Sequence, residues 1–354
     1  MILNELIRGK MKKKNLFAAI LLVALFVLFS CSENSTEPDN TKPSLPYNPN
    51  PEYNATDVSI TPTLYWECID PEEDSLFYDI YFGTNHTLGS EDLISNNQNS
   101  NSYELGLLHY ETNYYWKIVA KDGTYETEGD VWMFTTSGAV YGTVVDIDGN
   151  FYQTIVIGNK EWMTENLKVT HYKDGSYITY AANSWSWLNC NSGAYCYYDN
   201  EPNFADQYGI LYNWEATNSS RGLAPEGWNI PSDEEIKELE IYLGMNEIQA
   251  DSVGYRGTNE GSKLAGGYPF WLDGALRNNS EFDTSCFGLI PSGFRTSSTC
   301  TYYGSSQCGG FWTSTGDIND KAWTRRLDYN NTTIKREAIY KEAGYSVRCV
   351  RDLN

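Results

Sequence analysis

Histidine is almost missing from this chain: there are three in 354 residues, His86, His109 and His171. With His171 the only one beyond His109, neither a Ser-His-Asp arrangement nor a multi-histidine zinc site has its parts. Basic residues are scarce too, 25 against 47 acidic ones, and the formal net charge is -22. With no basic surface to offset phosphate repulsion, nucleic acid is excluded as a partner. The apolar run from Leu16 to Phe29 is also too short to cross a bilayer, having 14 residues where a spanning helix needs about 20.

That short run has a different reading. It follows the basic stretch Met11 to Lys14 and ends at Leu28-Phe29-Ser30-Cys31, so residues 1–30 read as a secretory signal peptide. The last four residues resemble a bacterial lipobox. The resemblance implies that the Cys31 thiol is diacylated and becomes the new N-terminus, which anchors the chain to a membrane without a spanning helix. Ser32, in the position that sorts Gram-negative lipoproteins, implies delivery to the outer membrane. Glu33, Glu37 and Asp39 resemble the acidic tracts that direct some lipoproteins to the cell surface, with the periplasmic face as the other destination. Residues 31–51 are Ser, Asn, Pro, Thr and acids with almost no apolar content, the composition of a disordered tether.

From residue 52 to 136 the pattern changes to short aromatic runs between turn clusters. Thr63 to Trp66, Tyr78 to Phe82, Tyr114 to Ala120 and Val131 to Thr135 read as strands. In the third of these, Tyr114, Trp116, Ile118 and Ala120 share one face, as a strand half buried in a sandwich requires. The stretch 44–136 carries 16 acids and 2 bases, a strongly solvated surface. Leu108, Thr112 and Tyr114 stand at the spacing of a tyrosine corner, and with Trp66 in the second strand the segment resembles a fibronectin type III domain. Asp70 to Asp74 holds four acids in five residues, either a weak calcium candidate or an inter-strand turn. No cofactor is expected apart from that calcium possibility. Cys68 reads as a lone buried thiol.

Residues 139–354 open as a β meander, with an Asp148-Gly149 hairpin turn and a second turn at Gly158-Asn159. Later, Ser232 and Glu235 form a capping box. Asp233, Glu234 and Glu235 put negative charge at the start of that helix, Ile236, Leu239 and Leu243 share one face, and Gly244 stops it. The acids from Asp233 to Glu240 read as capping and solvation. Glu161 and Glu165 are a carboxylate pair that could in principle serve glycosidic acid/base work, although a pair four apart is usually just solvated.

The blocks GNFYQTIVIGNKEWMTENL, YGILYNW, GWNIPSDEEIKEL, GLIPSGFR, FWTST and YSVRCVRD resemble, in order and spacing, the Fibrobacter succinogenes major paralogous domain family. That family is similar to the C-type-lectin-like superfamily, which includes formylglycine-generating enzymes. The resemblance implies a fold and brings no catalytic residues, and the paired active-site cysteines of those enzymes have no counterpart here. The expected fold class is therefore a β-sandwich (fibronectin type III-like) followed by an α+β, loop-rich C-type-lectin-like domain.

Six cysteines lie in this domain, an even number that reads as disulfides in an exported protein, with connectivity open among the many pairings six allow. Short loops favour Cys190 with Cys196 and Cys300 with Cys308, leaving Cys286 for Cys349, which would tie a central strand to the last one as lectin-like domains commonly do. Glu201-Pro202-Asn203 matches the calcium and sugar motif of C-type lectins but precedes the capped helix and lacks the Trp-Asn-Asp strand that follows it there. Trp185, Trp187, Tyr195, Tyr197 and Tyr198, interleaved with Asn183, Asn189 and Asn191, suit sugar C–H faces and hydroxyls, or they pack long loops. Tyr302 and Tyr303 are a second candidate. The expectation is a non-enzymatic surface lipoprotein that binds a glycan or a surface protein through these loops. The alternative is a structural component of a surface complex with no small ligand.

Overall fold

The computed structural model describes residues 39–353. Residues 1–30, read from sequence as a signal peptide ending in a lipobox, and Cys31 lie outside them. Strands dominate over helices, and they form several separate sheets. Among the described residues no helix is long and apolar enough to cross a membrane.

The first module has two sheets. Tyr47–Asn50, Thr63–Glu67 and Ser102–Glu104 form one, antiparallel throughout. The other runs in the order Ala55–Val58, Trp132–Thr136, Asn113–Lys121, Phe77–Gly83, Leu93–Gln98, with Glu126–Glu128 paired to Asn113–Lys121. Their facing sides share one core of Leu64, Trp66, Tyr78, Ile80, Trp116, Ile118 and Phe134. Residues Tyr114, Trp116, Ile118 and Ala120 are buried and their neighbours are not, because successive strand side chains point to opposite faces. The Tyr114 hydroxyl accepts from the His109 backbone N–H at 3.0 Å, which closes the corner into that strand.

The tether boundary needs correcting. Tyr47–Asn50, assigned by composition to a disordered stretch, is a sheet strand. Upstream of it, the Pro43 carbonyl accepts from the Thr127 hydroxyl at 2.7 Å. Composition misled here because an edge strand can be polar: its order comes from partners on one flank, not from its own apolar content. The Asp70 cluster is a turn, in which one Asp70 carboxylate oxygen accepts from the N–H groups of Glu72 and Asp74. Glu72 reaches away to Thr41. No group of three or more His, Cys, Asp or Glu side chains among the described residues is placed to hold a metal ion.

The second region opens with Tyr141–Val145, Phe151–Ile157 and Lys160–Met163. Its last strand, Val350–Asp352, pairs with Lys160–Met163, so the two ends of the domain meet in one sheet. Gly149 and Gly158, both at positive φ, make the two turns. A second four-stranded sheet has the order Gly254–Arg256, Ile334–Tyr340, Lys321–Asp328, Cys308–Gly316. The helix Asp233–Tyr242 lies on the core with Ile236, Leu239 and Leu243 buried. Its capping box is complete: Ser232 Oγ accepts from the Glu235 N–H at 3.1 Å and Glu235 Oε2 accepts from the Ser232 N–H at 2.8 Å. Leu107 of the first module packs against the cores of both modules, and His109 Nε2 stands 3.9 Å from a Glu281 carboxylate oxygen.

The same helix corrects the reading of its acids. Asp233 and Glu240 are buried, at 3% and 0% exposure. Asp233 takes Arg325 at 2.7 Å and Arg336 at 2.6 Å, and Glu240 takes Arg325 at 2.7 Å and Arg256 at 2.6 Å. Glu234 remains a solvated surface acid, in contact with Lys237. The two inward acids thus neutralise arginines arriving from the neighbouring sheet, which no pattern within the helix foretells.

Candidate functional site

Three tyrosines gather around a small sheet made of Thr179–Tyr180, Ala194–Cys196 and Leu211–Tyr212, with Tyr195 and Tyr197 also packed against the main core. Along Ala194–Cys196, Ala194 and Cys196 face inward and are buried, while Tyr195 and, just past the strand, Tyr197 stay partly exposed. Tyr180 pairs with Tyr195 across the parallel register. Ring centroids are 5.3 Å apart for Tyr180 and Tyr195, 5.5 Å for Tyr180 and Tyr197, and 5.9 Å for Tyr195 and Tyr197. These are favourable aromatic separations. Partial burial, then the neighbouring Tyr197, push the Tyr195 phenol up to about 12. It is therefore a neutral hydroxyl, able to donate and accept, across the physiological range.

The cluster has a polar neighbour. Asp148, on the first hairpin turn, accepts from the Thr170 N–H at 2.6 Å and the Thr170 hydroxyl at 2.8 Å, and lies 2.5 Å from His171 Nδ1. Burial would raise its carboxyl, but the Thr170 bonds and His171 outweigh it and hold the group below its ordinary value. The His171 ring packs on Tyr177, with centroids 4.3 Å apart, and Tyr177 is 79% exposed. The Asp148 charge adds the smallest of the upward pushes on the Tyr195 phenol. The tyrosine cluster and the Asp148, His171 and Tyr177 group each leave rings and polar groups partly exposed.

The seven aromatics singled out from sequence are not brought together. Tyr195 and Tyr197 belong to the cluster. Trp187 is core, its indole N–H donating to the Glu342 carbonyl at 2.6 Å. Tyr198 is buried, with its hydroxyl accepting from the Ser305 N–H, and its ring packs on Tyr302 at 5.3 Å. The Arg295 guanidinium lies over Trp187 at 4.7 Å and Tyr302 at 5.2 Å, so these rings serve packing. Tyr303 is exposed against Phe294, and Trp185 projects alone, 76% exposed, from the helix Ser184–Leu188. Tyr177 and Tyr180 were not singled out from sequence, and His171 and Asp148 were read there only as a lone histidine and a turn residue, since the four come from separate stretches. Alternation could not have found them, because a period of two sets Tyr180 on the same face as the buried Ile178.

Other candidates resolve into structure. Glu161 is buried, accepting from Thr154 Oγ1 at 2.5 Å and pairing with Arg351 at 2.6 Å, while Glu165 accepts from the Gln153 N–H. The two carboxylates are engaged by different partners. Glu201 is exposed at the head of the turn Pro202–Phe204.

All seven described cysteines are free thiols. The expected bridges Cys190–Cys196, Cys300–Cys308 and Cys286–Cys349 are absent, and the packing separates two of these pairs. Cys349 is buried in the core with Tyr152 and Tyr212, whereas Cys286 packs at the edge of the other core beside Tyr141. Cys300 joins Trp187 and Cys196 in a third cluster that does not include Cys308, whose thiol burial pushes up to about 12. Cys190 borders that third cluster, and its thiol turns to the Ser192 carbonyl at 3.4 Å. Spacing along the chain does not capture which core a side chain enters.

The arrangement defines a predominantly β protein whose aromatic surface is offered by a loop-rich domain built around buried arginines. The chain belongs to the Fibrobacter succinogenes major domain family, whose model matches residues 155–351. The match begins inside the second strand of the opening sheet and ends inside the closing strand. A comparison with curated proteins finds no match. Several blocks that carry the resemblance coincide with buried scaffold: Arg348 of YSVRCVRD donates to Asn166 Oδ1 and to the Phe287 and Gly288 carbonyls, and Arg295 of GLIPSGFR to the Ala181 and Cys300 carbonyls.

Proposed function

We propose that this protein is a non-enzymatic surface lipoprotein, anchored through acylated Cys31 in the outer membrane, that binds glycan through the Tyr180, Tyr195 and Tyr197 surface. In this reading residues 52–136 are a fibronectin type III-like spacer, extended upstream by the Tyr47–Asn50 strand, and residues 139–354 a C-type-lectin-like domain. The Tyr114 corner supports the first assignment. The meeting of the domain's ends in one sheet supports the second. The observation that carries the binding role is the three-ring cluster of Tyr180, Tyr195 and Tyr197. Sugars offer C–H faces to rings and hydroxyls to carboxylate and phenol groups.

A glycan array probed with the full chain tests this. Tyr195→Ala with Tyr197→Ala should lower binding of the best glycan at least tenfold, read at a temperature where the variant is still folded, since both rings also pack against the core. Unchanged binding by that double variant would remove the site from consideration. The second reading, an assembly component, draws on the same rings, because exposed tyrosines also anchor protein interfaces. Recovery of a surface protein whose capture is lost in the double variant, with no glycan bound, would favour it. The Cys31 anchor is tested by Cys31→Ser, which should release the protein from membranes.

A further inference from the structure

A cavity of about 930 Å³ lies in the first module, remote in sequence from the tyrosine surface. It arises where the chain changes sheets. Tyr47–Asn50 pairs with Thr63–Glu67, and Asn48 takes a left-handed conformation at φ 50° that shifts the register. The chain then crosses to the other sheet, where Asn54 N–H donates to the Met133 carbonyl at 2.8 Å and Ala55–Val58 runs parallel to Trp132–Thr136. The crossing segment and the start of the Trp132–Thr136 strand leave the concavity between them.

We infer that this cavity is a second binding site, for a short uncharged oligosaccharide. Its size lies at the upper end of the roughly 300–1,000 Å³ of ligand pockets. Tyr53, 58% exposed, offers a ring face on which a pyranose can stack, and Trp132 forms part of the lining. Asn48 and Asn50 supply amides that both donate and accept. The Glu52 and Asp130 carboxylates line it with no side-chain hydrogen bond or ion pair among the described residues, so they are available to accept from sugar hydroxyls. His86 is the one basic group in the lining and faces two carboxylates there, so the site's net charge turns away acidic glycans and phosphates. The site is independent of the tyrosine surface and does not rest on the binding role proposed for it.

The experiment is saturation-transfer NMR and calorimetric titration of the full chain with neutral trisaccharides built on glucose, mannose, galactose and xylose, with tetralysine as a control cation. It is run in the Tyr195→Ala, Tyr197→Ala background, so that the two sites are read separately. At least one trisaccharide is expected to bind, and Tyr53→Ala or Asp130→Asn should weaken it tenfold or more. Both positions are exposed, so an unshifted unfolding transition in these variants shows that folding is intact. Binding that survives Tyr53→Ala and Asp130→Asn overturns the inference. So does the absence of binding by any of the four sugars, or binding of tetralysine alone that is lost in Glu52→Gln, which would make the site a cation receptor.

Discussion

The two modules solve the same problem in opposite ways. The first is built from regular strands whose backbone groups satisfy one another, and its core is filled by rings: Trp66 and Trp116 are fully buried, with no hydrogen-bond partner for either indole N–H. It has few basic residues and buries no arginine. The second spends much of its chain in loops, which leave carbonyls without partners inside the protein. It buries Arg256, Arg295, Arg325, Arg336 and Arg348. A guanidinium carries five donors in a rigid fork, and Arg295 and Arg348 spend theirs largely on loop carbonyls. Where strands are short, buried charge takes over the work that sheet ladders do elsewhere. Arg348 shows the cost, since burial lowers its pKa to about 9.

Three experiments break this comparison, in decreasing order of effect. Glu240→Ala leaves Arg256 and Arg325 buried without that carboxylate and should destabilise the second domain by about 3–5 kcal/mol. Denaturant unfolding followed by hydrogen exchange should place the loss there and spare the Asn113–Lys121 strand. Equal loss in both modules would show that the Leu107 contact makes them one cooperative unit.

Acid should separate them next. Burial tends to raise the Asp233 carboxyl, but Arg336 and Arg325 outweigh it and hold the group at about 2, against an ordinary value of 3.8. A depressed carboxyl stabilises above its unfolded pKa and loses that contribution as pH falls through the folded one. The loss therefore develops between about pH 4 and pH 2 and amounts to about 2 kcal/mol. Unfolding midpoints measured down to pH 2 should show it in the wild type and much less in Asp233→Asn, which is less stable at neutral pH.

The smallest effect belongs to the first module. Tyr114→Phe removes the hydroxyl that accepts from His109 and should cost about 1 kcal/mol. Because Tyr114 stays neutral, this loss should be flat from pH 3 to 8. A loss confined to acid pH would mean that the corner is coupled to a carboxylate.

Much of the fold was legible because it rests on local regularities. The alternation in Asn113–Lys121, the Asp148-Gly149 turn and the Ser232 capping box all appear where their residues place them, as does the buried stripe Ile236, Leu239, Leu243. The candidate site was legible only in part. Tyr195 and Tyr197 were found from their own stretch, but Trp187, Tyr198 and Tyr302 looked equivalent to them, and Trp187 and Tyr302 flank Arg295 while Tyr198 packs on Tyr302. Aromatic content alone does not say which face of a loop meets the core.

By itself, the sequence determined the period-2 strands, the turns, the capped helix and the family, since each depends on residues a few positions apart. Only the tertiary structure decided that Asp233 and Glu240 are buried partners of arginines, that Cys286 and Cys349 enter different cores, and that Tyr180 joins Tyr195 and Tyr197. Those outcomes depend on which distant segments become neighbours, and a side chain's burial and charge balance are set by its neighbours in space.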